Sequence, residues 1–262
     1  MFAAVLPIRL YAQEVVKPKI AILEPKVGDG VSKGGRQHLN LDVLTTEMER
    51  ALQGTRKFSV LTRDDKKMAA LLKEQDFAGS KVSSGNAAKS GLMNAANLLI
   101  LPTVQDFIFH RDAKPVPNFQ GKYTRVDSGR LKVTAQVIDT QTGEIKTTFD
   151  LAGSFTTGQE VVNFKSGSPS PVNFERMAKD VSGKMADQLV DRVFPMKVMA
   201  VQNNQVFINR GKDGGLKIGD ALTVFRPGVA LRDPYTGEML GSAEVEIGAI
   251  RVVRVNPKFT IA

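Results

Sequence analysis

Residues 204–228, NQVFINRGKDGGLKIGDALTVFRPG, and residues 233–255, DPYTGEMLGSAEVEIGAIRVVRV, decide how this chain is read. Both are dense in turn residues and strand formers and carry no constellation of nucleophile, acid and base. Asn204 to Asn209 alternates apolar and polar side chains, Arg210 to Gly219 is a glycine-rich connector, and Ala221 to Arg226 alternates again. Short alternating runs divided by turn signals predict a small all-β barrel or sandwich. A module of this kind more often holds a partner than converts a substrate.

Upstream the periodicity changes. KIAIL at Lys19 is a short apolar run before Glu24-Pro25 and predicts a strand. A glycine-rich loop leads from it to a helix beginning near Asn40, with Leu41, Leu44, Met48 and Leu52 on one face. Phe58 to Leu61 is a second strand. Thr62 is placed to cap the next helix, Asp65 lies in its first turn, and Met68, Leu71, Leu72 and Gln75 continue it. Residues 77–91, rich in Ser, Gly and Lys, are expected to be mobile. Leu98 to Leu101 starts the next strand, a polar loop with Pro115 and Pro117 follows, and Leu131, Val133, Ala135 and Val137 alternate as in a half-exposed strand. The turn DTQTGE returns the chain as residues 145–155. Ser170-Pro171 then opens the longest helix, whose stripe is Phe174, Met177, Val181, Met185, Leu189 and Val193. Pro195 ends it. The expected organisation is therefore a signal-like or disordered N-terminus over residues 1–16, an α/β domain with a mixed sheet and flanking helices over 17–194, and a small β-barrel or sandwich domain over 195–262.

A net charge of +9, from 36 Lys and Arg against 27 Asp and Glu, raises the question of nucleic acid. Its distribution argues otherwise. Residues 195–262 hold nine basic and six acidic side chains, so the surplus is spread over both parts and never forms a basic tract. With three Tyr and no Trp, stacking platforms are scarce as well. The absence of Cys removes disulfides, thiolate catalysis, Cys-based zinc sites and a Cys-linked lipid anchor. MFAAVLPIRLYAQE resembles the tail of a secretory signal cleaved after Ala12, truncated because no basic segment precedes the apolar run. Nothing elsewhere approaches the ~18 to 20 consecutive apolar residues of a spanning helix. Export to the periplasm is the expectation.

Chemistry is thin. Gly30-Val31-Ser32-Lys33-Gly34 spells G-x-S-x-G, but a nucleophile elbow needs its strand to turn directly into the helix. Here the strand ends by Glu24-Pro25 and helical periodicity starts only near Leu41. The two histidines are poor partners: His38 is too close in sequence, and His110 falls in the expected polar loop beside Arg111. The same loop is no P-loop, since Gly34 is followed by Gly35-Arg36. Two histidines 72 positions apart make no ligand set, so no catalytic, cofactor-binding or metal residue is assigned. DTQTGE at Asp139 and DPYTGE at Asp233 share the pattern D-x-x-T-G-E, which a hairpin turn explains: Asp accepts local backbone hydrogen bonds and Gly takes positive φ.

The order KIAILEP at Lys19, FSVLTRDD at Phe58, LMNAANLLILPTVQDF at Leu92 and VIDTQTGEIKTTFDLAGSF at Val137, followed by the helix from Phe174, resembles the curli-secretion channel family (CsgG-like) and the N-terminal domain of the Tol system's propeller protein. The tail resembles the C-terminal domain of the flagellar H-ring protein T family. These resemblances imply an exported, non-enzymatic, homo-oligomeric envelope-assembly factor, a ring or docking component of a flagellar or secretion machine. Pore-forming members carry a lipidated Cys and two membrane hairpins. This chain has no Cys, and the matching residues 107–126 and 156–169 lack membrane-strand alternation. The expectation is thus the fold without a pore, no membrane-spanning segment and no nucleic acid. A periplasmic regulatory module of the cell-wall-synthase-activator kind is the alternative, and an esterase using Ser32 the third reading.

Overall fold

The computed structural model describes residues 17–78, 94–166, 170–237 and 239–262. Strand β1 (Lys19–Ile22) is apolar on both faces because it lies between two parallel neighbours; Ile20, Ala21 and Ile22 are buried. After it come a two-residue strand β2 (Lys26–Val27), a single helical turn α1 (Lys33–Arg36) and helix α2 (Leu41–Thr55). Asn40 caps α2 as the sequence suggests, its side-chain oxygen accepting the Val43 amide. Strand β3 (Ser59–Leu61) runs parallel to β1, and helix α3 (Asp65–Ala78) follows. The α3 cap is Asp64, which accepts the Lys67 amide at 2.8 Å, and not Thr62.

Helix α3 departs further from expectation. Its periodic face is not core: Leu71 and Leu72 are exposed and Gln75 is the buried position. The helical period is real, but among the described residues nothing covers Leu71 and Leu72. The segment expected to be mobile lies outside the described residues, except that Phe77 and Ala78 end α3. Residues 1–16, with the signal-like run, also lie outside them.

Strands β4 (Leu98–Pro115) and β5 (Tyr123–Asp139) form one long antiparallel hairpin. The expected polar loop with Pro115 and Pro117 is therefore mostly strand, and its real turn spans only residues 116–122. A register shift between Val104 and Asp106 explains why alternation hides the strand. Ile100, Pro102 and Val104 face inward before it, Phe107, Phe109 and Arg111 after it. Inward Arg111 reads as surface in a sequence, yet it pairs with buried Asp127 directly across on β5. Strand β6 (Ile145–Thr156) completes the path β3-β1-β4-β5-β6, with β2 on β4. Within 156–169, expected to be loop, β7 (Glu160–Val162) pairs with residues 123–125, and 167–169 lie outside the described residues.

Helix α4 (Pro171–Val193) starts at Ser170 with Pro171 in its first turn and buries Phe174, Met177, Val181, Met185 and Leu189, the stripe expected of it. It packs with α2 across one face of the sheet. Gly153 on β6 allows the approach: a Cβ there would stand 2.6 Å from the Met177 carbonyl oxygen. The opposite face, carrying Lys132, Thr148, Asp150 and Ser154, is largely exposed.

Beyond Pro195 the elements are strands, as expected, apart from one 3-10 turn at Lys212–Gly214, but the strands close no barrel. Strands β8 (Val198–Gln202), β9 (Gln205–Ile208), β12 (Arg254–Val255) and β13 (Thr260–Ile261) form one small sheet in the order β12-β13-β9-β8. Strands β10 (Ala221–Arg232) and β11 (Met239–Arg251) form a separate two-stranded ribbon. The small sheet is tied to α4 through Arg210. This residue is 1% exposed, lies along Gly214, and donates to the Asp191 carboxylate at 2.6 Å and the Phe194 carbonyl at 3.0 Å. Asn209 accepts the Lys197 amide and donates to the Pro195 carbonyl, fixing the first residues after α4 against the end of β9.

Candidate interaction surface

Ser32 does not sit at a nucleophile elbow. It caps the one-turn helix α1, its hydroxyl accepting the Gly35 amide at 3.1 Å. Gly30 is there for close approach: a Cβ would stand 2.5 Å from the Gln105 carbonyl oxygen at the β4 bulge. The glycine-rich loop is thus pinned to the sheet, and the expected flexible connection is an ordered one. His38 is exposed after α1, and His110 is exposed on β4, opposite Ser128 on β5; neither hydrogen-bonds Ser32. Among the described residues no group of His, Cys, Asp and Glu is arranged to hold a metal. A shallow apolar depression lined by Met199, Ala200, Gln202, Phe207 and Phe259 contains no acid, base or nucleophile.

Both D-x-x-T-G-E sequences form the same turn. The Asp139 carboxylate accepts the Gln141 and Thr142 amides, and Gly143 has φ of +73°. The Asp233 carboxylate accepts the Tyr235 and Thr236 amides, and Gly237 has φ of +70°. Those two amides hold the Asp233 carboxyl below the usual carboxylate range. Each pattern is a connector of long antiparallel strands.

The second of these turns caps the feature that distinguishes this molecule. The β10–β11 ribbon is anchored at its base, where the Val252 amide donates to the Asp220 carbonyl and the Gly219 amide to the Val252 carbonyl, both at 2.8 Å. Leu222, Val224 and Ile250 near the base are half-buried. From Phe225 to the turn and back to Ile247 nearly every residue is exposed. Val229 is 77% exposed, Leu240 62% and Tyr235 96%, and Phe225, Leu231, Met239, Val245 and Ile247 are exposed with them. Cross-strand pairs share a face, and successive residues along a strand alternate faces. Exposed Phe225, paired with Glu246, and exposed Val245, paired with Arg226, stand on neighbouring rungs and so on opposite faces, and both faces of the ribbon carry exposed apolar side chains. Isolated two-stranded ribbons are marginal in water, and a contiguous apolar patch marks an interaction surface. The sequence signal was available: two strand-forming runs around DPYTGE are apolar at both parities, which one buried face does not require.

A second, smaller exposed group sits at the far end of the β4–β5 hairpin: Phe119, Val161 and Phe164. Beneath it the Arg111 guanidinium donates twice to Asp127, at 2.7 and 2.9 Å, and stands over the Phe109 ring, which stacks on Phe155. The Arg111 hydrogen bonds hold the Asp127 carboxyl below its usual range against the opposing effect of burial. At the other end of the core, burial and the neighbouring Asp191 push the Asp187 carboxyl up.

No family model matches the chain, and no curated protein matches it. The resemblances named from sequence therefore rest on the residues quoted for them. Among solved structures, a hypothetical protein of Chlamydia trachomatis aligns with 15% identity over 68% of this chain and 96% of its own, at a TM-score of 0.34. A lipoprotein from Neisseria meningitidis aligns with 12% identity over 67% and 97%, at a TM-score of 0.26. The PelC dodecamer from Paraburkholderia phytofirmans aligns with 13% identity over 64% and 84%, at a TM-score of 0.29. Likeness at this level assigns neither a family nor an activity. Among the described residues no helix is long and apolar enough to cross a membrane, which says nothing of spanning strands.

Proposed function

We propose that this protein is a non-enzymatic, exported assembly factor of the cell envelope, a ring or docking component whose copies associate through the β10–β11 ribbon. The observation that carries this reading is the ribbon itself, long, anchored only at its base and apolar on both faces. Such a surface becomes stable when it is covered, and covering it is a matter of binding and requires no chemistry. The flagellar assignment comes from the resemblance of the tail, and the secretion assignment from that of residues 17–194. The full chain, measured by mass photometry and analytical ultracentrifugation, is expected to form a defined oligomer. Val229→Asp combined with Leu240→Asp should reduce it to protomers with an unchanged circular dichroism spectrum. A wild-type protein that stays a protomer at tens of micromolar, or an oligomer indifferent to both substitutions, would overturn the reading.

A further inference from the structure

We infer that the far end of the β4–β5 hairpin docks on an anionic lipid surface, the rings of Phe119 and Phe164 entering the headgroup layer and the ammonium groups of Lys122 and Lys165 meeting lipid phosphates, with no strand crossing the bilayer. The hairpin outruns its neighbour there: β6 pairs with β5 only from Ser128 onward, and beyond that the three-residue β7 lies alongside Tyr123 to Arg125. At this end Phe119 is 64% exposed, Val161 65% and Phe164 73%. The exposure is built into the turn. The Val116 amide donates to the Lys122 carbonyl at 2.9 Å and the Phe119 amide to the Val116 carbonyl at 3.2 Å, while Asn118 and Gly121 take positive φ. Lys122 Nζ donates to Asn163 Oδ1 at 2.6 Å, and Lys165 Nζ stands 5.1 Å from the centre of the Tyr123 ring. These two contacts fasten residues 163–165 beside the turn and bring Phe164 to the end that carries Phe119.

Charge selects the occupant. Residues 112–125 and 160–165 hold Lys114, Lys122, Arg125 and Lys165 against Asp112 and Glu160. Both carboxylates are engaged, Asp112 by Lys114 and Glu160 by Arg125, whereas among the described residues neither Lys122 nor Lys165 has a carboxylate partner. The end is therefore both apolar and cationic. An anionic bilayer satisfies the two properties together: aromatic rings rest at headgroup level, lysine stems lie along apolar surface, and their amines reach the phosphates. Each cation adds an attraction that fades within a Debye length, so attachment weakens with salt. A turn that stands out from the end of a hairpin meets a broad, deformable surface more readily than it encloses a peptide. Exposed Asp112 and Lys114, directly behind the turn, set the depth of entry, since charged side chains facing lipid are costly. A contact this small attaches reversibly.

The chain contains no Trp, so Phe119→Trp places a single reporter fluorophore at the contact in the full-length protein. Vesicles of equal parts phosphatidylglycerol and phosphatidylcholine are expected to shift its emission to the blue and to carry the wild-type protein upward in flotation, whereas phosphatidylcholine alone does neither. Lys122→Glu with Lys165→Glu should weaken flotation at least about tenfold, and so should Phe119→Ser with Phe164→Ser. Both double variants should keep the wild-type circular dichroism spectrum, because the substituted side chains are exposed. Anionic vesicles that leave the Phe119→Trp emission unmoved would overturn the inference and leave this end to a protein partner. Equal flotation of wild type and both double variants would overturn it too. Soluble glycerol phosphate that reproduces the shift at the same phosphate concentration would make this an anion site and not a lipid one. Release of vesicle-entrapped dye by the wild type would show strands crossing the bilayer, against docking at its surface. None of these outcomes bears on the ribbon, whose association is measured without lipid.

Discussion

Gly153 is where the sheet and its longest helix come closest, and its replacement is the sharpest test of how the α/β domain is packed. An added Cβ would lie 2.6 Å from the Met177 carbonyl oxygen and 2.9 Å from the nearer Val181 methyl. The first of these is backbone, so no rotamer change relieves it. Restoring an ordinary contact of about 3.4 Å requires α4 to lift by roughly 0.8 Å, a gap that forfeits a quarter to a half of the dispersion well at each contact it opens. Met177, Ala178, Val181 and Met185 are all essentially fully buried at that crossing. Overpacking of this kind costs about 1–3 kcal/mol, and we expect Gly153→Ala to cost ~2 kcal/mol. For a unit of this size that is a fall in Tm of roughly 4–8 °C. Gly183, in the interior of the same helix, has nothing within 4 Å of its Cβ position. Gly183→Ala should therefore stabilise by ~0.5–1 kcal/mol through helix propensity alone. Urea and thermal denaturation followed by far-ultraviolet circular dichroism measures both. Shifts of the same sign, or a Gly153→Ala protein within 0.3 kcal/mol of wild type by this roughly 2 kcal/mol reckoning, would refute the close crossing.

Two further outcomes are expected. Ser32→Ala removes the cap of a one-turn helix and should lower stability by ~0.5–1 kcal/mol without removing any ester turnover; loss of a genuine esterase activity with stability intact would reinstate the third reading. Asp127 has its folded pKa depressed, so its contribution is present above the unfolded carboxylate pKa of about 3.9 and is lost as pH falls through the folded value. Asp127→Asn should therefore destabilise at pH 7 by about 1–3 kcal/mol and flatten the acid limb of the stability profile; an unchanged limb would show that the Arg111 pair does not govern it.

Legibility followed burial. Where one face of an element meets the core, the period of the sequence reported it: the stripe from Phe174 to Val193, the alternation from Leu131 to Val137 and the helix beginning near Asn40 all correspond to what the structure shows. Errors came where tertiary partners changed the meaning of a residue. Arg111 looked like solvent and is inside because Asp127 faces it; Leu71 and Leu72 looked like core and are outside because, among the described residues, no element covers that face of α3. The bulge at Gln105 moved the inward side chains from even to odd positions, so a continuous strand read as a strand followed by a loop.

The candidate site was the least legible part for the same reason inverted. Periodicity records what a residue packs against, and beyond its base the ribbon packs against nothing among the described residues. Its strands are read from sequence as part of a small barrel or sandwich because a sequence does not distinguish a face covered by the same chain from one covered by another. The distinction is in the faces: a barrel wall needs polar residues outside, whereas exposed Phe225 and Val245 lie on opposite faces of the ribbon. If the ribbon were half a barrel wall, one parity would be buried by β8, β9, β12 and β13, and those strands instead form their own sheet. Among the described residues nothing covers these side chains, and the self-association reading rests on that exposed surface.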